Sequence, residues 1–475
     1  MRSFLPPILA FVLAVPAAAM AGQRTPSASE QGEAGYYFLL ARHFESAGNV
    51  DEAIKAYGRA IELDPASAEL RAELAGLYAR QDNAAEAIAN AEAAIARDAA
   101  NPEANRILGT VYAAYGERRM PMRPGEDPST YTARAIAALE KARGDGSDIG
   151  LNFLLGRLYL QANEFAKAVP LLSRVVDEQP TMIEAAILLS NAQEGAGQTN
   201  QAVATLEKAL TENPSSFRAQ LRLAEVYEQS EQWNAAADAL AKAQALNPKA
   251  PMIARRQAVA LLSAGRGPEA RDLLQTSIAG GRMDAKDPIV LYLLAESQRA
   301  SKELDEAQAT AQRLIAANPD DTRGLHVMSL ILQDKGDVKG SERVLRDLIG
   351  RDPMDANALN SLGYMLAERG DRLEEAVTLL QRALKIEPGN PSYLDSLGWA
   401  YFQQGRLDLA DAPLTEAAEK LQSNSVVQDH LGDLRYKQQR FADAAAAWER
   451  ALSGDGQSVD KSKLQGKIRE ARGRM

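Results

Sequence analysis

The sequence predicts an all-α solenoid of about twelve helical hairpins closed by a C-terminal capping helix. Three observations predict it. The stretches "ELAGLYARQDNAAEA" (73–87), "LLGRLYLQANEFAKA" (154–168) and "SLGWAYFQQGRLDLA" (396–410) follow one pattern: Leu, a small residue, a large residue, a polar turn, then Ala. That spacing returns every 34 residues with few exceptions. Alanine is abundant and aromatic residues make up only 5% of the chain, which favours closely packed helices over a sheet. At 475 residues the chain also exceeds what one compact core usually holds.

Taken in order, the N-terminus "MRSFLPPILAFVLAVPAAAMAGQ" has Arg2, an apolar run from Phe4 to Ala19 and Ala19-Met20-Ala21. This is the pattern of a signal peptide over 1–21. Pro6, Pro7 and Pro16 interrupt the run, which is short for a membrane span. Residues 22–33 read as a flexible leader rich in Ser, Gln and Gly. The repeat units follow at 34–67, 68–101, 102–148, 149–182, 183–216, 217–250, 251–287, 288–321, 322–355, 356–390, 391–424 and 425–458. In the first, Ala53 and Ala60 allow two antiparallel helices to approach, and Leu40, Phe44 and Tyr57 fill the space beside them. Pro65, Pro180, Pro214, Pro248, Pro319, Pro353 and Pro388 stop the second helix of their units. The third unit carries a Pro- and Gly-rich insertion, 116–129, between its helices. The seventh has extra residues near 279–288, and the tenth has one around Asp371. "VDKSKLQGKIREARGRM" (459–475) reads as a polar capping helix with Leu464 and Ile468 on one face.

A 34-residue period with Leu40, Ala41, Phe44, Ala53, Tyr57, Ala60 and Pro65 resembles the tetratricopeptide repeat (TPR) family. The resemblance covers nearly all the chain after the leader and implies a right-handed superhelical solenoid. It also implies that the first helices of successive units line a concave groove. Carrying the family's groove positions onto this sequence selects Asn357, Asn360, Tyr364, Asp395, Trp399, Phe402, Asp429, Asp433 and Tyr436 as a candidate partner-binding groove. These form an expected aromatic surface with an acidic rim, suited to a Lys- or Arg-containing ligand. Arg255, Arg256 and Tyr292 form a second, more basic candidate surface. Receptors of the family that grip a C-terminal carboxylate use Lys and Asn. Here Ile187 and Asn191 stand at those positions, without the Lys.

Composition and missing motifs exclude much else. A net charge of −10 argues against nucleic acid as a partner. With no cysteine, there is no disulfide, thiolate metal site or Cys-borne lipid. His43, His326 and His430 lie in different units and cannot form one metal site; His430 reads as a packing or surface residue. No phosphate loop, dinucleotide fingerprint or nucleophile elbow occurs, so neither an enzyme nor a cofactor is expected. The segment 359–410 is similar to bacterial extracytoplasmic TPR adaptor proteins. That likeness implies an adaptor scaffold; the signal-like segment predicts export, periplasmic or secreted, and the absence of cysteine predicts that the chain is not lipid-anchored through Cys. Its partners would be proteins or peptides, with a protease or cell-wall enzyme among the candidates. The alternative is a component of polysaccharide secretion or assembly machinery, binding glycan or its synthesis and export proteins.

Overall fold

The computed structural model describes residues 26–121, 125–456 and 459–475. The signal-peptide segment 1–21 and residues 122–124 of the insertion lie outside the described residues. Among the described residues every regular element is helical, in two compact bodies that meet in sequence between residues 232 and 233.

The first body contains α1 (Ala28–Ser46) and α2 (Val50–Leu63), α3 (Ala68–Arg80) and α4 (Ala84–Ile95), and α5 (Pro102–Arg118) and α6 (Tyr131–Ala142). It continues with α7 (Ile149–Gln161) and α8 (Phe165–Glu178), α9 (Ile183–Gly195) and α10 (Thr199–Glu212), and ends with α11 (Phe217–Gln229). The second body begins with α12 (Trp233–Leu246), followed by α13 (Pro251–Ser263) and α14 (Gly267–Ala279), and α15 (Pro288–Ala300) and α16 (Leu304–Ala317). Then come α17 (Arg323–Asp334) and α18 (Val338–Arg351), α19 (Ala356–Glu368) and α20 (Leu373–Ile386), and α21 (Pro391–Gln403) and α22 (Leu407–Lys420). The last elements are α23 (Ser425–Lys437), α24 (Phe441–Ser453) and α25 (Lys461–Gly473).

Helix ends follow from local chemistry. α2, α8, α10, α12, α16, α18 and α20 each stop two residues before Pro65, Pro180, Pro214, Pro248, Pro319, Pro353 and Pro388 respectively. The residue before a proline is driven out of the α region by the ring, so the helix ends one residue earlier still. Starts are marked by side-chain caps: Ser67, Asp148, Ser216, Asp355, Asn390 and Asn424 each accept a hydrogen bond from the first turn of the following helix.

Packing within a hairpin rests on small residues. Ala53, Tyr57 and Ala60 are fully buried, as the pattern requires. Glycines permit the closest approach: a Cβ on Gly156 would sit 2.6 Å from Leu172 Cγ, on Gly363 2.6 Å from Leu380 Cγ, and on Gly398 2.5 Å from Leu414 Cγ. Those leucines are themselves fully buried, so each glycine–leucine pair sets how near the two helices lie.

Two segments differ from expectation. Residues 28–33 are the first turns of α1 rather than flexible leader, because Ser27 and Glu30 form a reciprocal capping box. The start of the insertion, Gly116–Arg118, is still helical; Arg119 caps α5 in a left-handed conformation, and a 3-10 turn at Pro128–Thr130 leads into α6. The capping helix is α25, with Leu464, Ile468 and Ala471 buried against Ala444, Ala445, Trp448 and Ala451 of α24.

Candidate functional site

The residues selected for the C-terminal groove fall on α19, α21 and α23, the first helices of three successive hairpins. The structure brings Tyr364, Trp399, Asp429 and Asp433 to the wall of one cavity of about 420 Å³. It adds residues outside the selected set: Glu368 from α19, His430 from α23, and Lys463, Leu464 and Lys467 from α25. Asn357, Asn360, Asp395, Phe402 and Tyr436 do not line this cavity.

An open aromatic surface with a free acidic rim is not what forms. Trp399 is only 8% exposed. Its indole lies between Phe402, at 4.9 Å, and His430, at 4.0 Å, in near-parallel stacks, and its Nε1 donates to Glu368 Oε2 at 2.9 Å. Both ring faces are covered, so Trp399 is a wall rather than an exposed anchor. Asp395 is buried as well, not on a rim: His430 Nδ1 lies 3.0 Å from each of its carboxylate oxygens. The acidic pair Asp429 and Asp433 shares one counterion, Lys467 Nζ, at 2.6 Å from each. Asp433 also accepts from Trp448 Nε1 at 3.1 Å. Tyr436 donates to Glu470 of α25 and lies beneath Arg474. The contacts of Trp399 and Asp395 join the first helices of successive hairpins, and those of Asp429, Asp433 and Tyr436 are made by α25. It adds one more helix beside α23, and its lysine and glutamate reach the groove-facing side chains of the last hairpin. Asn357 stays exposed and accepts from the Tyr393 hydroxyl at 2.8 Å, while Asn360 is half-buried with an unpartnered Oδ1.

Electrostatics follow the burial. For His430, burial works against the imidazolium, but Asp395, and behind it Glu368 and Asp429, together outweigh it and hold the imidazole above its ordinary value. Burial pushes Asp433 up, against the pull of Lys467. Burial also opposes the charge on Lys467, and the two aspartates overcome it. Tyr364 is pushed well above the usual phenol range, by burial first and by Glu368 second.

The second candidate surface is less basic than its sequence implies. Arg255 has its own carboxylate, Asp287, at 2.5 Å. Tyr292 is half-buried beneath the Arg323 guanidinium at 5.9 Å, and Arg323 pairs with Asp321.

Sequence reasoning missed His430, Glu368 and Lys467 as members of the site. The readable signal was the repeat itself, because these contacts join residues about one unit apart: Asp395 with His430, Glu368 with Trp399, Asp433 with Lys467. It also missed an apolar cleft of about 380 Å³ in the first body, between α3 and α5. Gly76, Ala79 and Ala114 leave that space beside Ile107 and Val111, and Arg80, Asp82, Glu103 and Arg106 border it.

No helix among the described residues is long and apolar enough to cross a membrane.

Comparison with known proteins completes the description. A TPR_19 tetratricopeptide repeat profile matches residues 194–260 and 261–331, and a TPR_16 profile matches 132–183, 327–391, 371–425 and 431–475. A TPR_11 repeat profile matches 44–82. A TPR repeat-containing protein of Pseudomonas aeruginosa is 36% identical over 180 residues, covering 38% of this chain and 30% of that protein. Cellulose synthase operon protein C of Pseudomonas fluorescens is 25% identical over 196 residues, covering 40% of this chain and 14% of that protein. The matched stretches thus span under a third of either relative's length. Among solved structures, yeast Tom70 aligns over 94% of this chain and 96% of its own at 15% identity, with a TM-score of 0.46. With hairpin after hairpin at the 34-residue period, and repeat profiles matching along most of its length, the chain belongs to the tetratricopeptide repeat family.

Proposed function

We propose that this chain is an exported, non-catalytic scaffold that binds protein or peptide partners on its row of first helices and assembles envelope complexes. Repeats of this family imply a protein-binding scaffold. The observation that supports a partner site in this chain is the cavity bounded by α19, α21, α23 and α25, where aromatic, acidic and basic side chains converge on about 420 Å³ of open space. A pre-ordered array presents such a surface at little entropic cost to itself, so the cost of ordering falls on the partner. Export rests on the signal-like segment 1–21. A second reading, in polysaccharide secretion or assembly, is favoured by the match to cellulose synthase operon protein C.

The test is affinity capture from an envelope extract with the full chain, read by mass spectrometry, beside a binding panel of purified anionic and neutral polysaccharides. Reproducible enrichment of defined proteins that also bind the purified chain supports the scaffold. Polysaccharide binding with no such protein supports the second reading. Recovery of the chain, expressed in a bacterium, exclusively from the cytoplasm sinks export.

A further inference from the structure

The cavity beside α25 has a chemistry that its own residues leave incomplete. His430 is 6% exposed and lines it. Its Nδ1 is engaged by Asp395, and its Nε2 makes no hydrogen bond among the described residues. Against burial, Asp395 and, behind it, Glu368 and Asp429 favour the imidazolium, and a protonated ring with Nδ1 on Asp395 has its Nε2–H left to donate. The open space beside the ring leaves room for an acceptor to Nε2.

The charges around it are also out of balance. His430 answers Asp395, and Lys467 answers one charge of the Asp429–Asp433 pair. Lys463 donates its backbone N–H to Asp460, whose carboxylate caps α25, and both residues line the cavity. Glu368, Asp429, Asp433 and Asp460, with Asp395 behind them, outnumber His430, Lys463 and Lys467, so the cavity keeps an excess of negative charge; Glu368 itself hydrogen-bonds the neutral indole N–H of Trp399 and the Tyr364 hydroxyl. Lys467 shows what the pair accepts: a primary ammonium on an aliphatic stem, held at 2.6 Å by both carboxylates. Val426 and Leu464 supply apolar wall for such a stem.

We propose that this cavity takes one lysine or arginine residue of an extended partner segment, its cationic side chain facing Glu368 and the Asp429–Asp433 pair and its main-chain carbonyl accepting from His430 Nε2. This rests on the scaffold reading and names the partner's chemistry. A free polyamine would satisfy the carboxylates but not the histidine, whereas a peptide satisfies both. Ligand binding weakens as pH rises through the raised value of His430, because the donor is lost. The groups facing that ring from the neighbouring helices are Tyr364, Glu368, Asp395, Trp399 and Lys467.

The test is isothermal titration of the full chain with acetyl-Ala-Lys-Ala-amide, with its norleucine analogue and with spermidine. The lysine peptide is expected to bind saturably. The norleucine peptide should bind roughly tenfold or more weakly, the loss expected from charge-assisted hydrogen bonds. Glu368→Gln and Asp429→Asn should each weaken the lysine peptide about tenfold. Glu368→Gln keeps an acceptor for the indole on an exposed residue, so it separates a lost charge from a disturbed fold. Equal binding of the lysine and norleucine peptides would make the cavity an apolar cleft and overturn the proposal. Spermidine binding as tightly as the peptide would reduce it to a simple cation site and overturn the role of His430. Failure of the lysine peptide, with proteins still captured from the envelope extract by the full chain, would sink this site alone. Failure of capture by every form would sink the scaffold reading.

Discussion

Removing the core of the capping helix should open that helix and leave the rest of the second body closed. The perturbation is Leu464→Ala. Leu464 is 1% exposed and packs with Ile468 and Ala471 onto α24. Truncating a fully buried leucine costs about 2.7–5 kcal/mol, part of it transfer and part residual cavity. At about 1.4 kcal/mol per factor of ten, the closed-to-open ratio of α25 falls roughly 100-fold to a few thousand-fold. The loss should stay local, because repeat stability is approximately a sum of nearest-neighbour terms and α25 has a hairpin on one side of it. The electrostatic ties offset little of this, since one lysine on two partly exposed carboxylates is worth far less than a buried leucine. The assay is amide hydrogen exchange read by mass spectrometry. Peptides from 461–473 should exchange about two or more orders of magnitude faster than in the parent, those from 425–453 modestly faster, and those from 391–420 at the parent rate. Equal loss of protection from α21 through α25 would refute the local account. Unchanged exchange in α25 would refute its packing.

Other outcomes follow from glycines, turns and charge. Gly398→Ala should lower the thermal midpoint, because the new Cβ would meet Leu414 at 2.5 Å and overpacking costs about 1–3 kcal/mol. Gly58→Ala should raise it by the equivalent of about 0.5–1 kcal/mol, since nothing lies within 4 Å and the residue is mid-helix. Lys302 holds φ at 64° in the turn between α15 and α16, where other units place Gly48, Gly197, Gly336 and Gly405. Lys302→Gly should therefore stabilise that hairpin by about 0.5–1 kcal/mol in a denaturant titration. Arg372 and, beyond it, Arg346 hold the Glu342 carboxyl down to about 2, against burial. A depressed carboxylate contributes stability above its ordinary value near 4.5, and that contribution disappears as pH falls towards 2. Melting curves taken across that window should lose the step in Glu342→Gln.

The sequence by itself determined the hairpins. A 34-residue pattern of small and large apolar residues repeats a local instruction, and local instructions are readable without knowing what lies far away. The prolines placed seven helix ends, and Ala53, Tyr57, Ala60 and the small residue at Gly398 announced which faces pack. The groove residues were legible as positions on first helices, and four of those selected do line one cavity. Only the tertiary structure decided what those positions became. Trp399 is closed between two rings, Asp395 is paired with a buried histidine, and the acidic pair is answered by Lys467. For Trp399 and Asp395 the reason is contact between neighbouring hairpins, and for the acidic pair it is α25, which lies outside the repeat pattern. Its Leu464–Ile468 face can be read as a cap, but which carboxylates its lysine reaches depends on the angle at which it packs on α24. A pattern of spacing carries the period of a helix; the partner one unit away is fixed by packing, and packing is what the linear pattern does not record.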